Sequence, residues 1–285
     1  MRRFAIMQGR LLPPEDGLFQ CFPRERWREE FARAAEAGLD AIEWIYDVHG
    51  ADVNPLATDP GLAEMAALSR QHGVAVVSLC ADYFLDRPFV RIAPESAAGL
   101  VEHLIWLLGR CHLAGITRVV LPFVDASRIE TPADEARTVD VLTRVLPVCA
   151  ASGVELHLET ALAPAAFGSL LARLPDPLLR VNYDSGNSAS LGYNVAEELA
   201  AYGTRLGSVH VKDRLKGGGT VPLGAGDADL PALVSELAAL RYPGDFVLQV
   251  ARSADGGEVQ WARQNRQFVA GLLDRAVSGT RPPRC

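Results

Sequence analysis

Four polar residues stand near the ends of successive apolar runs. They are Glu159 in VELHLET (154–160), Asp184 in LLRVNYD (178–184), His210 in GSVHVKD (207–213) and Gln249 in DFVLQVA (245–251). Singly, each has an ordinary explanation: a glutamate can cap a helix, and a histidine in an apolar strand is usually a hydrogen-bonded core residue. Together they offer three oxygen donors and one imidazole. That set suits a divalent cation, Mn²⁺, Mg²⁺ or Co²⁺ first and Zn²⁺ as a further option. Two buried carboxylates brought so close repel and titrate upward unless a cation separates them. Gln249 is the odd member, because a buried amide costs roughly 1–3 kcal/mol unless something satisfies it.

Convergence of these residues requires a scaffold that points the ends of several strands at one place. Short β-like runs alternate with helical segments along the whole chain. The expected strands are 4–9, 40–45, 74–80, 117–123, 154–160, 178–184, 207–213 and 245–251. Between and after them the 3.6-residue apolar spacing predicts helices over 23–38, 61–73, 95–115, 132–153, 164–174, 195–205, 229–242 and about 258–277. Several strands are apolar at nearly every position, as parallel strands covered on both faces must be. Eight strand–helix units in this length fit an α/β (β/α)8 TIM barrel of one domain, residues 1–278, followed by a frayed tail at 279–285. A doubly wound sheet would carry a phosphate-binding turn after its first strand, and QGRLLPPEDG lacks that spacing.

In a barrel, chemistry sits where the strands end on their C-terminal side. Glu43, Asp82, Lys212 and Arg252 join the first four residues there. Lys212 and Arg252 could hold a phosphate or carboxylate, or could equally be solvated or salt-bridged. Trp44 and Tyr83 neighbour Glu43 and Asp82 and are candidates to line a bound ligand.

Composition limits the partners. The chain has 285 residues, 49% hydrophobic and 22% charged, with a formal net charge of −7. An acidic balance argues against a nucleic-acid surface, and no apolar run is long enough to cross a membrane. Five cysteines without a C-x-x-C pair fit reduced thiols and a cytoplasmic setting.

The motifs LET (Glu159), NYDSGN (Asp184, Asn187), VHVKD (His210) and TVPLGAGDADL (220–230) together resemble the xylose isomerase-like TIM barrels over about residues 4–275. The nearest resemblance is to the sugar-phosphate isomerase/epimerase branch, hexulose and hexulose-phosphate 3-epimerases above all. That resemblance implies a metal-dependent enzyme acting on a small sugar or sugar phosphate, often as a dimer or tetramer. It further implies that Glu159, Asp184 and His210 ligate the metal, that Glu159 is a catalytic acid/base, and that Asn187 belongs to the substrate site. The family's strand-eight position is usually a second catalytic glutamate, and here it is Gln249. An amide oxygen can still ligate a cation, but glutamine has no titratable proton near neutral pH. A second base would then come from elsewhere, Glu43 or Asp82 being the candidates.

Two other functions fit the same fold. One is a relative with altered chemistry, a lyase, dehydratase or metal-containing sugar-binding protein, which the glutamine at 249 favours. The other is an abasic-site endonuclease of the endonuclease IV type, which uses more histidine ligands and a basic groove; six histidines and an acidic chain speak against it.

Overall fold

A computed structural model describes residues 3–278; the expected tail at 279–285 lies outside the described residues. Eight parallel strands close into a barrel in the order β1-β10-β7-β6-β5-β4-β3-β2, with β1 paired to β2. The barrel strands are β1 (Phe4–Met7), β2 (Ala41–Ile45), β3 (Ala75–Cys80), β4 (Arg118–Phe123), β5 (Glu155–Thr160), β6 (Leu179–Asp184), β7 (Leu206–Val211) and β10 (Phe246–Leu248). All eight lie where the apolar runs predict them, and the (β/α)8 TIM barrel expected from the alternation is the fold of this chain.

The helices form the outer ring. They include α1 (Glu29–Ala37), α2 (Asp59–His72), α4 (Pro94–Ala114), α5 (Pro132–Ser152), α6 (Pro164–Ala172), α8 (Val195–Tyr202), α9 (Leu230–Ala239) and α10 (Glu258–Ser278). Helix α1 is shorter than its apolar spacing suggests, because residues 24–28 form turns before the helix starts. It stops at Gly38, whose φ of 77° is a left-handed conformation that costs glycine little. Phe31 and Ala34 of α1 are fully buried, and Phe31 packs on Trp44 of β2, which also meets Phe22 and Trp27. Trp44 is therefore a packing residue, its Nε1 satisfied by Asn54 Oδ1 at 3.1 Å. Tyr83 stacks on His103 at 4.4 Å. Both were candidates to line a bound ligand, and the structure turns both into the aromatic packing between barrel and helices.

The barrel interior differs from this outer layer. Small residues fill part of it (Ala5, Ala41 and Val247), and buried polar side chains fill much of the rest, among them Glu43, Ser78, His157, Asn182, Ser208 and His210. Two extra pieces surround the mouth. Helix α7 (Ser185–Leu191) follows β6 directly, and β8 (Asp213–Arg214) pairs antiparallel with β9 (Thr220–Val221). Asp213 organises that ribbon: its buried carboxylate accepts from the Gly224, Gly226 and Ala228 amides at 2.8, 3.0 and 3.0 Å.

Candidate active site

Glu159 and Asp184 lie near or at the ends of adjacent strands, and His210 stands opposite Asp184 in the β6–β7 ladder. One ligand atom from each of Glu159, Asp184 and His210 lies within 4.8 Å of the others, and all three residues are buried. The donor set and its closeness fit a divalent cation.

Each member is held by specific contacts. Asp184 is the N-cap of α7, its Oδ1 accepting from the Gly186 and Asn187 amides at 2.9 and 2.8 Å, which leaves Oδ2 to face the site. Gly186 is required there, since a Cβ would lie 2.6 Å from Lys212 Cγ. Glu159 is fixed at both oxygens, Oε2 by Asn182 Nδ2 at 2.7 Å and Oε1 by Asn187 Nδ2 at 2.6 Å. Below it runs a buried polar column. His157 Nδ1 meets Ser208 Oγ at 2.7 Å, and that hydroxyl donates to Asn182 Oδ1 at 2.6 Å. His157 is thus a supporting residue one layer beneath Glu159, as its spacing of two residues suggests.

His210 lies between two carboxylates, its Nε2 at 2.6 Å from Glu43 Oε1 and its Nδ1 at 3.3 Å from Glu159 Oε2. Burial opposes charge on this imidazole, yet Glu43 and Glu159 outweigh burial and push it up to about 10. Burial likewise raises Asp184, and the nearby Glu159 adds to the effect. Burial also pushes Glu159 upward, but His210, Lys212 and Asn182 more than offset it and hold the carboxylate below its ordinary range.

Above the cluster opens a cavity of about 340 Å³. Glu159, Asp82, Asn187, Lys212 and Gln249 line it together with Gln20 and Arg214. Lys212 Nζ reaches Asp184 Oδ2 at 3.4 Å, Asn187 Oδ1 at 3.3 Å and Gln249 Oε1 at 3.4 Å. Gln249 follows β10, and its backbone amide donates to Val211 O at 3.1 Å.

Two expected substrate contacts lie elsewhere. Glu43 is fully buried outside the cavity lining, with Oε1 2.6 Å from His210 Nε2. Arg252 turns away and donates to the carbonyls of Phe19, Leu12 and Gly9, tying the segment after β1 to the end of β10. Conversely, Gln20, Asn182 and Arg214 belong to the site and were not singled out from the sequence. Asn182 had a signal, lying two residues before Asp184 on the same face of β6; Gln20, in an irregular loop, had none.

The class is thus a parallel eight-stranded barrel with a buried Glu–Asp–His cluster at its C-terminal mouth. Residues 31–271 match the family model described as xylose isomerase-like TIM barrel, and the chain belongs to that family. No curated protein sequence matches it. Among solved structures, an L-ribulose 3-epimerase superposes with TM-score 0.75 at 20% identity, covering 98% of this chain and 97% of that one. A D-allulose 3-epimerase from Methylomonas sp. gives TM-score 0.75 at 16% identity, with 95% and 98% covered. The IOLI protein with a binding zinc atom gives 0.75 at 17%, with 96% and 99% covered. At these identities the likeness is one of fold. Among the described residues, no helix is long and apolar enough to cross a membrane.

Proposed function

We propose that this chain is a divalent-metal-dependent isomerase or epimerase acting on a small sugar. The observation that carries the reading is the buried Glu159–Asp184–His210 cluster, whose Glu159 lines a cavity of sugar-sized volume. Glu159, Asp184, His210 and the Gln249 amide oxygen would hold the ion. When bound, it would act as a Lewis acid on the substrate carbonyl and stabilise the charge that develops as a neighbouring proton leaves.

The remaining roles fall to the chain itself. Glu159 is the acid/base: it lines the cavity, is held ionised, and is oriented at both oxygens by Asn182 and Asn187. Glu43 accepts from His210 Nε2–H and so puts the lone pair of the neutral imidazole on Nδ1, the atom that would ligate, which Asn182 Nδ2 meets at 3.1 Å in the metal-free protein. Asp82 is the candidate for a second proton acceptor. It lines the cavity, and burial raises its carboxyl to about 6, a useful value for a group that must both take and return a proton.

Asp47, Asp82, Asp86, Asp125 and Glu159 line the cavity against Lys212 and Arg214. That balance favours a neutral sugar over a sugar phosphate. Four free, buried cysteines (Cys21, Cys80, Cys111 and Cys149) fit a reducing, cytoplasmic setting.

The test is a panel of ketoses, aldoses and their phosphates with Mn²⁺, followed by NMR in D₂O. Solvent deuterium at one sugar carbon, with formation of the epimer or isomer, is the expected result. A second reading, favoured by the proton-free amide at 249, is a family member with lyase, dehydratase or sugar-binding activity. Absence of exchange in every sugar, with one of them bound or dehydrated, would select it.

A further inference from the structure

Gln249 has two chemically different ends, and its neighbours decide which way each end points. Gln20 Oε1 accepts from Arg10 Nη2 at 2.9 Å and from Gln249 Nε2 at 3.0 Å. Arg10 possesses only donors, so the Gln20 atom facing it must be the oxygen. Gln249 meets that same oxygen and must present its NH2 there. The other end of the Gln249 amide faces Lys212 Nζ, also donor-only, at 3.4 Å, which fits the oxygen.

Arg10 cannot rotate away. It is buried, with Nε on Val250 O at 3.0 Å and Nη1 on Phe19 O at 2.8 Å, and its guanidinium lies 4.5 Å from the centre of the Phe19 ring. Gln20 is held at its far side as well, where Nε2 donates to Asp82 Oδ2 at 2.7 Å. Turning the Gln20 amide over would set its NH2 against the Arg10 donors and its oxygen against a carboxylate.

We propose that Arg10 and Gln20 are positioning residues that hold the Gln249 oxygen toward the Asp184–Lys212 side of the site, making position 249 a neutral oxygen ligand that carries no proton. The relay also selects the residue type. A carboxylate at 249 would set an oxygen against the fixed acceptor of Gln20, so glutamine here is matched to Gln20 and is not a defective glutamate. The ligand part of this inference rests on the metal-dependent reading above; the orientation of the amide does not.

The test is a double-mutant cycle of Gln20→Met and Gln249→Glu, read two ways at pH 8. The first readout is Co²⁺ affinity, followed through the visible absorption of the bound ion. An added ligand charge ordinarily tightens a divalent site by about tenfold or more. With Gln20 present, Gln249→Glu should gain less than about threefold, and in the Gln20→Met background it should gain about tenfold. Gln20→Met alone should lose about tenfold in affinity. Equal gains in both backgrounds would overturn the relay.

The second readout is the melting temperature of metal-free protein. Gln249→Glu should lower it with Gln20 in place and lower it much less beside Gln20→Met. Equal lowering overturns the relay even if no ion binds. Wild-type protein that takes up no Co²⁺ sinks the metal reading and leaves the orientation to be judged by the metal-free cycle. If Gln20→Met fails to fold, the single Gln249→Glu variant decides: a tenfold gain beside an intact Gln20 refutes the proposal.

Discussion

Substituting Glu43 by glutamine removes one negative charge and almost no volume from a fully buried position 2.6 Å from His210 Nε2. In the metal-free protein the imidazole is flanked by Glu43 and Glu159, which together raise it to about 10 despite burial. A raised histidine contributes stability that is complete below its unfolded value near 6.5 and is lost as pH rises through about 10. Glu43→Gln should therefore destabilise the metal-free protein most near pH 6 and progressively less as pH rises from about 6.5 to 10. Breaking a buried, hydrogen-bonded charge pair costs about 3–5 kcal/mol when one partner is deleted, so Glu43→Leu sets the upper limit and Glu43→Gln should fall below it. With metal bound, Glu43→Gln acts on the orientation of the imidazole. A glutamine can present its NH2 to His210 Nε2, forcing the ring proton onto Nδ1, the atom expected to ligate. Loss of such a supporting partner typically weakens a metal site by about 10–100-fold, or roughly 1.4–2.8 kcal/mol. Calorimetric Mn²⁺ titration at pH 8, paired with urea unfolding between pH 6 and 10, measures both effects. Affinity within twofold of wild type in Glu43→Gln would refute the assignment of Glu43 to the His210 tautomer.

Two further outcomes follow from groups outside the cavity. Glu30, fully buried with Gly9 N donating to it at 2.6 Å, is raised by burial to about 7. The folded state thus binds the extra proton between about pH 4.5 and 7, and stability from this group declines as pH rises through that window. Glu30→Gln should flatten the decline in urea-unfolding free energy there, and an unchanged slope would count against it. Asp213→Ala strips three backbone amides of their acceptor and should cost about 2–4 kcal/mol in the same assay. A cost below about 1 kcal/mol would mean the ribbon holds without it.

Much of this architecture is legible in the sequence because it follows from periodicity. Several strands are apolar at nearly every position, and each strand is followed by a segment with 3.6-residue spacing, so strand number, order and the C-terminal mouth follow. Glu159, Asp184 and His210 are legible for the same reason: they interrupt or end strands whose barrel neighbours are known once the fold is known. Glu43 and Arg252 show where that reasoning stops. Their positions along the strands are right for the mouth, but which partner each side chain takes is a tertiary fact. Glu43 finds a histidine from β7 across the barrel interior, and Arg252 finds three carbonyls of the β1 loop. Gln20 was illegible for a stronger reason, since it lies in a loop without periodicity and reaches the site only because Arg10 and Asp82 hold it there. Position 249 could be flagged as an anomaly from sequence, but its orientation depends on those loop contacts.

The most direct test of the account is metal stoichiometry and turnover measured together for wild type and Glu159→Gln, on whichever sugar shows exchange. The account predicts about one divalent ion per chain in wild type, turnover abolished by chelator and restored by Mn²⁺, and loss of solvent-deuterium incorporation in a folded Glu159→Gln variant. Full turnover by metal-free wild type, or undiminished exchange in Glu159→Gln, would contradict it.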